Sequence, residues 1–109
     1  MQVIKKPENG KKFVSYSVDG NILSLGDDEI MINLAKKQRD DEVVIDIVRD
    51  LTQGLLMGLE GATYVAEIHI PPREYTAETV TGEDGKDATK LTPVAFDPDK
   101  VTLYLFEEA

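Results

Sequence analysis

The sequence predicts a mainly β fold, an antiparallel sandwich or partly open barrel of about six to eight strands. Three observations predict it. Apolar and polar residues alternate over 64–70 (YVAEIHI) and 101–106 (VTLYLF), and strand side chains alternate between faces with the same period of two. An Asp19-Gly20 step joins the runs KFVSYSV and NILSL, and such a step between alternating runs marks a hairpin. β-Branched residues fill VVIDIV at 43–48, where they favour extended backbone. The alternative is an α+β fold with helices near 29–39 and 43–55.

The elements follow in order. Residues 1–12 read as a polar lead-in with a turn at Pro7 to Gly10, Val3 and Ile4 docking as a short edge. In the hairpin, a turn on Asp19-Gly20 pairs Val18 with Asn21, Tyr16 with Leu23 and Val14 with Leu25, so that the apolar residues share a face. Gly26-Asp27-Asp28 ends it. Residues 29–37 fit a strand with Ile30, Ile32 and Leu34 on one face. They also fit a helix with Asp27 as N-cap and a Met31, Leu34, Ala35, Gln38 stripe. VVIDIV is apolar on both faces except at Asp46. Gly54, Gly58 and Gly61 argue against a long helix beyond it, each costing about 1 kcal/mol relative to alanine. Residues 51–59 are then a strand or a short helical turn.

Residues 64–70 read as the central strand. Tyr64, Ala66, Ile68 and Ile70 share its inner face, and Val65, Glu67 and His69 share the other. Pro71 and Pro72 end it, since proline has no N–H to give a ladder. Threonine and charge dominate 73–98, predicting a projecting ribbon of strands near 74–81 and 88–95 around Glu83-Asp84-Gly85-Lys86. In 101–106, Val101, Leu103 and Leu105 share one face and Thr102, Tyr104 and Phe106 the other. Both faces look suited to burial, one of them by more of the chain or by a partner.

The chain has 109 residues, 41% of them hydrophobic, which suits a single domain able to bury a core. Its formal charge is −9, which repels phosphate and anionic lipid. Neither direct nucleic-acid binding nor membrane binding is expected, while a basic partner, a divalent cation or plain solubility fits. The absence of cysteine closes disulfide, thiolate and zinc–thiolate chemistry. The first ten residues lack a signal-peptide run and no stretch approaches the roughly 18 apolar residues of a membrane span. A soluble, cytoplasmic protein is the expectation.

Chemistry-bearing candidates are few. Glu67 and His69 lie two apart on one strand face, with Arg73 and Glu74 just past the prolines. A carboxylate beside an imidazole sets its tautomer, as a general base or a metal ligand requires. The alternative is a solvated cross-strand pair. The acidic turns Asp27-Asp28-Glu29, Asp40-Asp41-Glu42 and Glu83-Asp84 do not follow the EF-hand spacing. No phosphate-binding glycine loop surrounds Gly54 to Gly61, and no Gly-x-Ser-x-Gly occurs, so no cofactor is expected. For binding, the candidates are Tyr104 and Phe106.

The segments IHIPPREY and FDPDKVTLYL resemble stretches of small phage-encoded accessory or structural proteins. The resemblance implies a subunit of that type and assigns no residue a role. The leading expectation is a non-enzymatic interaction or assembly module that binds a protein partner or a second copy. The rivals are a small metal-binding protein or hydrolase using Glu67 and His69, and an acidic decoy for a basic partner.

Overall fold

Alternation of apolar and polar residues places 101–106 and 64–70 side by side in the large sheet of the fold. The computed structural model describes residues 1–50, 54–58 and 63–108. In chain order these form β1 (Gln2–Lys6), β2 (Tyr16–Asp19), β3 (Ile22–Leu25), β4 (Ile30–Asn33), α1 (Leu34–Lys37), β5 (Val43–Asp50) and β6 (Gly54–Met57). There follow β7 (Thr63–Ile70), β8 (Tyr75–Thr81), β9 (Asp87–Pro93), a short helical turn (Pro98–Lys100) and β10 (Thr102–Phe106). A five-stranded sheet runs β1-β10-β7-β5-β6, a three-stranded one β2-β3-β4, and β8 pairs with β9 alone. Neighbours are antiparallel except β1, which lies parallel to β10.

The fold is mainly β, with the two larger sheets facing each other across one core. Leu23, Leu25, Ile32 and Leu34 meet Ile47, Ile68, Ile70, Leu103 and Leu105 there, all essentially inaccessible to solvent. Each such side chain contributes about 1.5–3 kcal/mol by leaving water. Neither large sheet closes on itself, so the arrangement is an open sandwich. The ten strands among the described residues exceed the expected number because two segments left open by the sequence, 2–6 and 54–57, both join the large sheet. The remainder of the 51–59 expectation, and the Gly61-Ala62 entry to the central strand, lie outside the described residues.

Several local expectations are corrected. β2 and β3 pair as Val18 with Leu23 and Tyr16 with Leu25, two residues out of the expected register. The loop is Gly20-Asn21, and Gly20 adopts φ +59°, so glycine supplies the left-handed first position of a type II′ turn. A slip of two keeps every side chain on its face, which is why Leu23 and Leu25 are still buried. Residues 29–39 are mostly neither pure alternative: a strand runs to Asn33, then one helical turn follows. Asn33, not Asp27, is its N-cap, its side chain accepting from the Lys36 N–H at 3.3 Å. No helix occupies the described part of 43–55, where β5 and β6 stand instead.

The central strand also departs from strict alternation. Ile47 pairs with Ala66 but Val48 with Tyr64, leaving Val65 as the extra residue of a bulge. One inserted residue inverts the faces on its far side. Val65 and Ala66 are therefore both fully buried, and Tyr64, expected inside, is 47% exposed. Ala66, Ile68 and Ile70 face the core as the alternation predicts.

Every residue of β8 and β9 is exposed. The molecule measures 65 × 27 × 21 Å with a radius of gyration of 18.4 Å, against roughly 13 Å for a compact chain of this length. At the base of the ribbon the Val94 N–H donates to the Glu74 carbonyl at 2.8 Å.

Candidate functional site

The outer face of the five-stranded sheet carries the side chains opposite to the core set. Leu103 and Leu105 in β10, and Val101 just before it, are buried, whereas Thr102, Tyr104 and Phe106 are only partly covered. Cross-strand register sets the neighbours. Ile4, Tyr104, Glu67 and Asp46 form one row, and Gln2, Thr102, His69 and Val44 the next. Val48, flanked by Tyr64 and Leu56, is buried on this outer side, outside the main core cluster.

Four of the sequence candidates meet on this face. Glu67 Oε1 is hydrogen-bonded to His69 Nε2, a contact open to residues two apart on a strand. His69 Nδ1 lies 3.7 Å from Glu42 Oε1. The imidazole meets the Tyr104 ring edge-on, with centroids 4.8 Å apart and planes at 64°, a geometry favoured by the ring quadrupoles. The Lys6 ammonium sits 4.9 Å from the Tyr104 centroid. Phe106 joins Glu67, Asp46, Thr63 and Tyr64 around an open concavity of about 720 Å³.

The chemistry of this cluster is that of a clamp. An imidazole held between two carboxylates is oriented, but among the described residues no hydroxyl is hydrogen-bonded to it in the position of a nucleophile. Among the described residues no group of three or more His, Cys, Asp or Glu side chains is arranged to hold a metal ion.

Arg73 and Glu74 have other partners. Arg73 donates to Asp40 Oδ1 and to the Gln38 carbonyl, both at 3.2 Å, and its N–H to the Arg39 carbonyl at 2.8 Å. The Tyr75 hydroxyl donates to the same Asp40 oxygen at 2.6 Å. Tyr75 first, and then Asp40, holds the guanidinium above its ordinary pKa. Glu74 accepts from Lys100 Nζ at 3.0 Å. Beside them Gln38, nearly buried, donates to the Pro71 carbonyl at 3.2 Å. These contacts fasten the base of the ribbon to the body.

The acidic turns likewise spend their oxygens on backbone. Glu29 accepts from the Leu55 N–H at 3.1 Å, Asp84 from Lys86 at 3.1 Å and Asp97 from Asp99 at 3.0 Å.

Of the residues lining the concavity, Asp46, Thr63 and Tyr64 are missing from the sequence candidates. Asp46 carries a signal, being the one charge in VVIDIV. Tyr64 carries none, because only the Val65 bulge turns it outward. No protein-family model matches the chain, nor does any curated protein or solved structure.

Proposed function

We propose that the chain is a non-enzymatic interaction or assembly module, an accessory or structural subunit of the phage-like type its two segments resemble. Its contact surface is the outer face of the five-stranded sheet. The observation carrying this reading is the outer side of β10: Tyr104 and Phe106, each only partly covered, belong to a face that also holds the exposed Val44 and Tyr64. A sheet face that mixes aromatic rings with charged and polar groups has the composition of a surface that another chain covers. Cytoplasmic action fits the absence of cysteine, and no helix among the described residues is long and apolar enough to cross a membrane.

Two measurements test it. Light scattering across a concentration series reads self-association, and binding of an apolar dye to the native protein reads an open face. The wild type gives at least one of these signals, and Tyr104→Ser with Phe106→Ser lowers it about tenfold, the scale set by losing aromatic anchors. A chain that stays monomeric and binds no dye sinks the reading.

The rival reading, a metal-binding protein or hydrolase, draws support from the two carboxylates facing the nitrogens of His69. It requires that His69→Gln change divalent-ion binding measured by calorimetry. Identical titrations of the two proteins remove it.

A further inference from the structure

Asp46 and Glu67 stand directly opposite each other on neighbouring strands. Like charges in that position repel. Glu67 is engaged by His69, and Asp46 has no side-chain hydrogen bond or ion pair among the described residues. Lys6 lies over Tyr104, and Arg49, opposite Thr63 on the neighbouring strand, is taken by Glu108. A positive group between the two carboxylates removes the repulsion, and the concavity they line has room for one.

The walls decide what kind of cation fits. Tyr64 and Phe106 line the same concavity. Aromatic rings attract organic cations, whereas a hydrated divalent metal needs a cage of oxygen donors. A planar guanidinium both stacks on a ring and binds carboxylate through paired N–H groups, which an ammonium does not. Tyr104 stands opposite Glu67, and Val44 lies two residues from Asp46 on the same face, so a side chain entering the concavity brings its flanking backbone and apolar neighbours against those residues. The chain's charge of −9 draws a basic partner toward it.

We infer that this concavity receives an arginine side chain from a basic partner polypeptide, held between Asp46 and Glu67 and against Tyr64 and Phe106. The partner is a different protein. The three arginines of this chain are occupied within its own fold, Arg39 by the Lys36 and Gln38 carbonyls, Arg49 by Glu108 and Arg73 by Asp40. The inference rests on the interaction-module reading and names the chemistry of the partner.

The test is a nuclear magnetic resonance titration of the full chain with three capped peptides, Leu-Arg-Leu, Leu-Lys-Leu and Leu-citrulline-Leu, together with capped arginine alone. The arginine peptide shifts the amides of Asp46, Thr63, Tyr64, Glu67 and Phe106. It binds about tenfold tighter than the neutral citrulline peptide, the scale of one charge-assisted pair, and tighter than the lysine peptide and arginine alone. Asp46→Asn removes that preference. Equal binding of arginine and citrulline, equal binding of lysine, or shifts confined to other residues overturn the inference. So does arginine alone binding as well as the peptide, which would assign the site to a free small cation. Should Asp46→Asn not fold, the peptide comparison on the wild type decides. If dye binding or self-association persists while arginine shows no preference, this inference falls and the interaction-module reading stands.

Discussion

Ile68 and Asp40 mark the two extremes of what one side chain does here. Ile68 is fully inaccessible, in the middle of β7 with Ile45 and Leu103 paired on either side. Truncating it removes the transfer energy of the lost methylenes and leaves a cavity that the two sheets cannot fill. Ile68→Ala should cost about 2–5 kcal/mol, read as a lower urea midpoint at unchanged slope. Asp40 accepts from both Arg73 and Tyr75 but remains largely exposed, and water screens such pairs. Asp40→Asn should cost less than about 1 kcal/mol, and the difference should shrink further in salt. Gly20 falls between them. It holds φ +59° with open space around it, so Gly20→Ala meets no clash and costs about 1–2 kcal/mol through backbone conformation alone. A cost near zero would mean that Gly20 does not hold this positive φ in solution.

Among the elements, β10 and the inner half of β7 are legible in the sequence because their alternation is strict and both flanking strands respect it. The rest of β7 is not. The bulge at Val65 carries no glycine or proline to announce it, and it arises from fitting Val65 and Ala66 together into the core while Tyr64 turns to solvent. Residues 30–37 resist a single assignment because Leu34 satisfies both patterns, closing the inner face of β4 and opening the helical turn that Asn33 caps. Glu67, His69 and Tyr104 converge as strand geometry requires. Arg73 and Glu74 do not join them, because the chain leaves the strand at Pro71-Pro72 and meets Asp40 and Lys100 instead. The ribbon is readable from its turn, yet its exposure on both faces sets it apart energetically. A two-stranded hairpin alone is marginal in water, and pairs such as Glu78 with Lys90 and Thr79 with Thr89 add only about 0.2–1 kcal/mol each. Amide hydrogen exchange should therefore be fast throughout β8 and β9 and slowest in β7 and β10, whose opening requires global unfolding. Equal protection in ribbon and core would show that another surface covers the ribbon in solution.

For the whole molecule, charge separates the two ways in which the outer face can be covered. Two copies each carrying −9 repel at long range, so an apolar contact between them strengthens when salt screens that repulsion. A basic polypeptide is attracted by the same field, and its capture weakens as salt is added. Aromatic contact with Tyr104 and Phe106 is common to both and changes little, which leaves the sign of the salt effect to report on the occupant. The arginine site formed by Asp46 and Glu67 predicts the second sign. Between ~0.05 and ~0.5 M salt, where the Debye length falls from about 14 to about 4 Å, the arginine-peptide dissociation constant should rise severalfold, mostly through slower association. With Asp46→Asn the slope against salt should flatten, since one of the two carboxylates that attract the guanidinium is gone. Light scattering over the same range should show no parallel loss of mass. If the peptide binds more tightly in high salt, or the wild type and Asp46→Asn share one slope, its contact is apolar and lies elsewhere on the sheet.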